Sequence, residues 1–556
     1  MKRDIIYICS YAAAILAAAT PVVAQVSKEV EVTQAYIPQV REATKPTLQP
    51  NMEDDAYIAP DIDYTITSTS IHTPLESEPY KPVELDYWEF KRLGDYYAKV
   101  GVGMPYRSVV DLYASRSSAS RGYYNAFVNQ EGEYADRTND YGVSSDAVES
   151  HLRVGSTAGL YVGRRVLEGA FDYRNDYWSR YATSCDDDNN PLYQRLVLDL
   201  RYGDNFSDLS RWNYSVEAGA EHMWSRSGYG NTSMGGRVDL GHNVAGGALR
   251  LSALVDCTMG DAGYLNTTFG VGARYSLEGV VSNLSLGLDL YSDNVSATGV
   301  DAKSHLYISP HLSYDQRLFE SKMIAYLNLG GRVRHNDYAS LSEENPYIEA
   351  GLFGDRSSLS YDLDLGIKGV LDDRIFSYNL YVGYEIVTDE RYWLYCEQQQ
   401  SATTACSGYV VAFDDLSTLS VDLEMLYRPV PALEIEFGAS VNKYYEASGA
   451  WAVARPTTEL NLGGLYRVGK MAFGVGAEFA SSRKSSQLYC DIVGGESMST
   501  IVTPSAINLC AEAEYTLGCG AVVFCNLTNL LNDDIYEWAR FREYGVGGVI
   551  GVKFEF

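Results

Sequence analysis

The sequence lacks long apolar runs and has little proline, histidine or positive charge. Beyond the N-terminus, no uninterrupted apolar stretch is long enough to cross a bilayer as a helix, which excludes a helical membrane protein. The 556 residues include 16 Pro, 7 His and 44 Lys or Arg against 73 Asp or Glu, a formal net charge of −29. Because this charge would repel a polyanion, no nucleic-acid partner is expected.

Motifs of enzymes and metal sites are also missing. The histidines stand alone, without metal-ligand spacing or a G-x-S-x-G motif, at His72, His151, His222, His242, His305, His311 and His335. A Ser-His-acid triad assembled across strands leaves no such signature. The run CDDDNNP could gather calcium, but Val197 stands where an EF-hand loop needs Glu, which favours a solvated acidic loop. No enzyme, cofactor, or catalytic or metal-binding residue is therefore predicted.

Cysteine gives no metal or redox motif either. The chain has 9 Cys and no C-x-x-C pair. Cys396 and Cys406 flank EQQQSATTA, and they either close a surface disulfide in an oxidising compartment or remain thiols.

Tyrosine and glycine, by contrast, are abundant, with 46 Tyr against 16 Phe and 7 Trp, and 49 Gly. A tyrosine joins an apolar ring to a polar hydroxyl, which suits a boundary between lipid and water. From about residue 90 the chain repeats about ten residues of apolar–polar alternation followed by a turn. In LSLGLDLY, for example, the apolar set is Leu284, Leu286, Leu288 and Leu290. This period of two predicts strands with one apolar face.

The connections distinguish a soluble sandwich from a barrel in lipid. Short turns such as LGCG, RVGK, RPVPA and LDDR alternate with long polar segments such as TDERYWLYCEQQQSATTACSG and YYEASGAWAVARPT. Outer-membrane barrels have short periplasmic turns and long external loops, whereas a sandwich has no reason for this alternation. Residues 89–556 are therefore predicted to form an all-β transmembrane antiparallel β-barrel of about 22 strands, within a range of about 18 to 22.

The residues before the barrel differ from it in composition. MKR, the apolar stretch IIYICSYAAAILAAA and the small-residue end VVAQ predict a signal peptide at residues 1–24, with a retained helical anchor as the alternative. Residues 25–88 concentrate proline, which predicts an extended periplasmic segment or one docked in the lumen. Export and barrel together predict the outer membrane of a Gram-negative cell, with membrane lipid and the barrel-assembly machinery as partners.

The C-terminal stretches carry a family resemblance. EYGVGGVIGVKFEF turns Ile550, Val552 and Phe554 to lipid and places Phe556 at the interface. With VVFCNLTNLLNDDIYEW and the turn in YRPVPALEIEFGASVNKYY, it resembles the barrel of TonB-dependent outer-membrane receptors over roughly the last 200 residues. One extra residue precedes Tyr536 relative to the family pattern. The receptors' plug domain has no counterpart before the barrel, so the resemblance implies a plug-less relative.

Two functions follow from such a barrel. About 22 strands without a plug leave a wide hole, which residues 25–88, inward loops such as 388–408 or a partner protein must fill. The first hypothesis is a channel or uptake component for small hydrophilic solutes. Its acidic excess favours cations, and its lumen charges include Asp199, Arg201, Glu385, Glu434 and Glu436. The second is a non-transporting accessory or structural barrel of a larger outer-membrane complex, with a periplasmic or membrane protein partner bound through residues 25–88.

Overall fold

The computed structural model of the chain describes residues 95–556, except 119, 140–141, 143, 183–189, 320–321, 372–374, 400–404, 491–495 and 519. The predictions for residues 1–24 and 25–88, and for the barrel boundary at residue 89, lie outside these described residues. Within them, no helix has the length and apolar character needed to cross a membrane.

Most of the described chain is β-strand, with one α-helix, α1 (Tyr338–Glu344), and a 3-10 turn (Asp261–Gly263). The strands in chain order are β1 (Tyr96–Met104), β2 (Arg107–Ser118), β3 (Gly122–Glu133), β4 (Asp136–Thr138), β5 (Ser144–Asp146), β6 (Glu149–Val162), β7 (Arg165–Trp178), β8 (Leu192–Gly203), β9 (Asn213–Ser225), β10 (Gly230–Val244), β11 (Gly247–Gly260), β12 (Leu265–Glu278), β13 (Ser282–Ala297), β14 (Val300–Leu318), β15 (Met323–Arg334), β16 (Ser358–Leu371), β17 (Phe376–Gln399), β18 (Ala405–Val430), β19 (Leu433–Glu446), β20 (Thr458–Val468), β21 (Met471–Ala480), β22 (Arg483–Cys490), β23 (Glu496–Thr503), β24 (Ala506–Thr516), β25 (Val522–Thr528), β26 (Tyr536–Trp538), β27 (Phe541–Arg542) and β28 (Gly547–Glu555).

The main sheet closes on itself. It contains 24 strands, and β1 pairs antiparallel with β28, from Tyr97 opposite Glu555 to Met104 opposite Gly548. Two of its strands, β22 and β23, stand out as a hairpin, because β21 pairs directly with β24 and β22 runs parallel to the outer part of β17. The wall is therefore a closed antiparallel barrel of 22 strands, which confirms the predicted fold class and the upper value of the predicted range.

The alternation along each strand separates the two faces of the wall. Leu198 and Leu200 on β8 and Ile550 and Phe554 on β28 turn outward, each with 46% or more of its surface exposed. The lumen side carries charges, as at Arg201, which lies 3.3 Å from Glu217 of the neighbouring strand. This apolar exterior and polar interior are what a barrel in lipid requires, and they confirm the predicted strand faces.

Connection length also separates the two ends of the barrel. Every short turn named from the sequence joins strands at the end where β28 terminates, which we call the periplasmic end. The opposite, external end carries the longest connections, at 134–148, 179–191, 335–357, 447–457, 481–505 and 529–546. Two sequence expectations need correction: the loop expected at 388–408 is largely the end of the long β17–β18 hairpin, and the periplasmic connection 204–212 is not short.

The seam between β1 and β28 depends on glycine. A Cβ at Gly551 would overlap the Val100 carbonyl oxygen and approach Cζ of Phe524 to 2.6 Å. We expect Gly551→Val to reduce the yield of closed barrel strongly, since the added side chain forces the last strand pair apart. Heat-modifiable migration in SDS gels measures that yield. Gly518→Ala, at a turn where a Cβ meets nothing within 4 Å, is the matched control and should fold normally.

Candidate functional site: lid and lumen

The described external loops fold together over the end of the barrel, in an assembly we call the lid. It comprises the described residues of the six long connections and of the β17–β18 hairpin beyond Val387, where the ladder shifts register and Asp389 takes a φ of 57°. Such an irregularity bends a strand. Its apolar core consists of buried side chains from four of the connections, from the β17–β18 hairpin and from neighbouring strand ends: Ala147, Tyr181, Ala182, Tyr193, Met223, Tyr338, Ala339, Leu341, Tyr347, Ile348, Trp393, Tyr395, Tyr409 and Phe541.

Phe541 lies where several of these loops meet. Its ring stacks on Tyr347 with 3.7 Å between centroids, and Tyr181 meets it edge-on at 5.5 Å. Tyr409 of the hairpin lies 6.2 Å away and donates a hydrogen bond from its hydroxyl to the Ala539 carbonyl at 2.8 Å. Loops from β7, β15, β18 and β25 are thus held in one apolar cluster.

The connection 335–357 crosses from one side of the barrel to the other. At one end of the crossing, Tyr338 of α1 packs against Tyr193 and Tyr229, with ring centroids 6.3 Å away in each case. At the other, Tyr347 and Tyr409 join their backbones by a hydrogen bond of 2.9 Å. Since Tyr193 and Tyr229 belong to the β8–β10 side and Tyr409 to β18, this loop spans the external mouth.

Arg391 of the hairpin anchors that loop. Its guanidinium is buried and donates to Asn336 Oδ1 at 2.7 Å, Glu344 Oε2 at 2.6 Å and the His335 carbonyl at 2.6 Å. The nitrogen that donates to the His335 carbonyl also donates to Ser340 Oγ at 3.0 Å. Burial alone would raise the pKa of Glu344, but the Arg391 charge lowers it below the ordinary value.

Arg137, in the connection 134–148, forms a second buried cluster. Its guanidinium lies near groups from four other segments: Glu133 Oε2 at 3.3 Å, Glu149 Oε2 at 3.3 Å, Glu543 Oε2 at 3.7 Å and Tyr181 OH at 3.1 Å. The guanidinium also lies 3.6 Å from the ring centroid of Tyr544. We call these residues the Arg137 cluster. Burial raises the pKa of Glu543 to about 7, although the Arg137 charge opposes the rise.

A large polar cavity lies in the lumen, with a volume of about 1090 Å³. Four carboxylates of β16, β17 and β18 line it, with Asp362 opposite Glu385 in the ladder and Asp364 and Asp422 beside them. None of the four forms an ion pair among the residues that the structure describes. We call this set the acidic wall.

Elsewhere in the cavity lining some charges are paired, whereas Asp256 and Arg332 form no ion pair among the described residues. Arg274 lies 3.1 Å from Asp289, and Arg237 lies 2.9 Å from Asp239. A solute in the cavity would therefore meet unpaired negative charge mainly at the acidic wall.

The lumen charges named from the sequence are found on the barrel wall, but they do not form one site. Arg201 pairs with Glu217 at 3.3 Å, Glu434 pairs with Arg428 at 2.9 Å, and Glu385 lines the cavity. Asp199 lies opposite Gly219 on β9, and Glu436 lies opposite Gly463 on β20. No motif marks Arg137 or Arg391, which are isolated arginines in the sequence.

The described histidines and cysteines bear on metal binding and on the predicted disulfide. Among the residues described, no group of three or more His, Cys, Asp or Glu is placed to hold a metal ion. Cys396 is buried in the lid on β17, and Cys406 lies on the adjoining strand opposite Gln398. The side chain of Cys406 lies outside the described residues, so the disulfide stays a prediction.

No protein-family model matches the sequence, and no curated protein matches it significantly. Solved structures do match: the copper transporter OprC (TM-score 0.62, 14% identity) and the FrpB iron transporter from Neisseria meningitidis (0.64, 12%), each over 84% of this chain and 82% of the other. The ferripyoverdine receptor of the Pseudomonas aeruginosa outer membrane matches at 0.59 and 12% identity, over 84% and 72%. This chain therefore has the 22-strand barrel fold of the TonB-dependent outer-membrane receptors, and its described residues include no plug-like helical domain.

Proposed function

We propose that the protein is an outer-membrane uptake barrel for small hydrophilic solutes, with a preference for positively charged ones. The observation that carries this proposal is the unpaired acidic wall of the lumen cavity. Asp362, Asp364, Glu385 and Asp422 face about 1090 Å³ of polar space without ion-pair partners among the described residues. Carboxylate rings of this kind attract cations in channels.

The lid adds a condition to this function. Loops from opposite sides of the barrel meet at the external mouth, so a solute enters the cavity from outside only when these loops separate. The lid is thus the gate of the proposed pathway. In this proposal the lid loops close the external mouth of the barrel.

Ion selectivity tests the role of the acidic wall. We expect an opened barrel, such as Arg391→Met, to pass K⁺ in preference to Cl⁻, as measured by the reversal potential across a KCl gradient in planar bilayers. Replacing the four acidic-wall residues by Asn or Gln in the same background should lower the permeability ratio roughly severalfold, because the fixed charge facing the pathway is removed.

A matched change outside the cavity controls for net charge. Asp208→Asn removes a carboxylate from the exposed periplasmic connection 204–212 and should leave the ratio near its starting value. An opened barrel that prefers anions, or whose preference survives the fourfold replacement, contradicts the cation-selective pathway.

The lid also favours a second candidate, a non-transporting accessory barrel of a larger outer-membrane complex. A lid with a buried aromatic core and two buried arginine clusters is a stable closure. A permanently closed mouth is compatible with a barrel that passes no solute. In that case a periplasmic or membrane protein partner would bind through residues 25–88, which lie outside the described residues. An opened lid that gives no conductance would favour this candidate.

Location and partners complete the proposal. The apolar exterior of the barrel suits outer-membrane lipid, and we propose that the barrel-assembly machinery inserts it in a Gram-negative envelope. The solved structures of similar fold are transporters and receptors. We propose no catalytic activity and no nucleic-acid partner for this chain.

A further inference from the structure

We propose that the Arg137 cluster is a proton-operated latch, in which Glu543 holds the lid closed when protonated and loosens it when ionised. The inference rests on the proposed function only in taking the lid for a gate. The latch itself is a property of the lid's geometry.

The cluster joins the parts that must separate when the lid opens. Glu133 and Glu149 belong to the ends of β3 and β6, whereas Glu543 belongs to the connection 529–546. That connection is tied to the same region by Tyr544, whose hydroxyl donates to the Ala147 carbonyl at 2.6 Å, and by the Arg542 carbonyl, which accepts from Tyr181 at 2.5 Å. Lifting the connection removes Glu543 from the cluster into water.

Glu543 shares the single guanidinium of Arg137 with two other carboxylates, Glu133 and Glu149. The charged or titratable groups that face the cluster are Arg137 from connection 134–148, Arg107 from β2, Glu133 from β3, Glu149 and His151 from β6, Glu537 from β26 and, in the same connection as Glu543, Arg542 and Asp534. Arg542 forms an ion pair with Asp534, and Arg107 forms one with Glu133 at 2.6 Å. Ionised Glu543 thus joins Glu133 and Glu149 around one guanidinium, where like charges repel.

The direction of the pH response follows from the closed and open environments. The pKa of Glu543 is about 7 in the closed lid and would return to about 4.5 in water. The closed lid therefore binds the proton more tightly, and closure gains its full contribution below about pH 4.5. That contribution is lost as the pH rises through about 7. Because the Glu543 side chain keeps 35% exposure, water moderates the effect, and we expect about a tenfold change in the open fraction.

Thiol labelling of a buried lid position measures the open fraction directly. Ala539 is 3% exposed in the lid, so Ala539→Cys should react with a maleimide only when the lid opens. The rate at position 539, read by peptide mass spectrometry, is divided by that of Ala450→Cys, an exposed position, at the same pH. This ratio removes the effect of pH on thiol chemistry and the background of native cysteines.

We expect the ratio to rise about tenfold between pH 5 and pH 8.5 in the otherwise native protein. Glu543→Gln, which cannot ionise and keeps the shape of the side chain, should give a low ratio at all pH values. Glu349 pairs with Arg180 at 3.3 Å elsewhere in the lid, and the variant Glu349→Gln should show the same rise in label ratio as the native protein. Heat-modifiable migration in SDS gels confirms that each barrel is folded.

A ratio that does not change with pH, or a rise that persists in Glu543→Gln, overturns the latch. Labelling reports lid motion whether or not a solute passes, so the latch and the transport function can fail separately. If the label ratio changes with pH but the barrel never conducts, the latch is supported and the uptake function is contradicted. If the barrel conducts but the label ratio does not change with pH, the uptake function is retained and the latch is overturned.

Discussion

Phe541→Ala should convert a silent barrel into a conducting one. Phe541 is 1% exposed and touches rings from three other parts of the lid, the nearest at 3.7 Å. Truncating such a buried ring removes its contacts and leaves a cavity, at a cost of about 3–5 kcal/mol. Because the lost contacts join lid loops to one another, the cost falls on lid closure and the barrel wall stays folded.

Planar-bilayer recordings measure this change. We expect the native protein to be closed for nearly all of a recording, and the Phe541→Ala open probability to be at least about 100-fold higher, since every 1.4 kcal/mol corresponds to a factor of ten. Phe319→Ala is the control, because Phe319 is 74% exposed in a periplasmic turn and contributes nothing to the lid. It should remain as silent as the native protein.

A silent Phe541→Ala barrel would separate the two proposed functions. If labelling at Ala539→Cys shows that the lid has opened while no current flows, the lumen is closed at a second level. The accessory-barrel function then becomes the better account. If neither labelling nor current changes, Phe541 does not hold the lid, and the assignment of the aromatic cluster as its fastening is wrong.

The wall of this barrel was predictable because its signal is local and repeated. LSLGLDLY places Leu286 and Leu288 on the lipid face and Asp289 on the lumen face, and the same rule holds from strand to strand. Turn length then fixes which end is periplasmic. Each of these features needs only a few neighbouring residues, so the sequence is sufficient to give the fold class, the strand faces and the strand number within its stated range.

The lid was not predictable, because it joins residues that lie far apart in the sequence. Arg137 meets Glu543 from about 400 positions away, and neither stands in a periodic stretch. The position of the abundant tyrosines was likewise not predictable from the sequence. The tyrosine excess indicated side chains at the lipid–water boundary, yet Tyr181, Tyr347 and Tyr409 are buried in the lid core. Composition reports how many tyrosines there are, whereas the packing of distant loops decides where they lie.

Arg391→Met should open the lid by a different route, through charge. Removing the guanidinium leaves the half-buried Glu344 carboxylate without its counter-charge, and the His335 carbonyl without its donor. Breaking a buried ion pair on one side costs about 3–5 kcal/mol, since the remaining charge is left uncompensated. We expect an open probability and a label ratio at position 539 at least as high as those of Phe541→Ala. Arg211→Met is the control, because it breaks an exposed ion pair with Asp208 at 2.9 Å. It should lower stability by less than about 1 kcal/mol.

The second arm of this experiment uses the partner residue. Adding Glu344→Gln to Arg391→Met removes the stranded charge, and we expect it to restore part of the closure, by about 1–3 kcal/mol. The pH response should also reverse at this site. In the native protein the pKa of Glu344 is lowered, so its contribution to closure is present above the ordinary value and is lost as the pH falls through the lowered one.

Without Arg391, burial is left to raise the pKa of Glu344, and closure of the single variant should recover as the pH falls through the raised pKa, with full recovery below the ordinary value. When both variants are made in a Glu543→Gln background, which removes the pH response of the latch, the double variant should lack this recovery. If Arg391→Met opens the lid equally at every pH, or if Glu344→Gln restores nothing, the guanidinium acts by packing and not by charge. The lid would then be held by its aromatic core, and Arg391→Lys, which keeps the charge but not the planar fork, should open it as far as Met does.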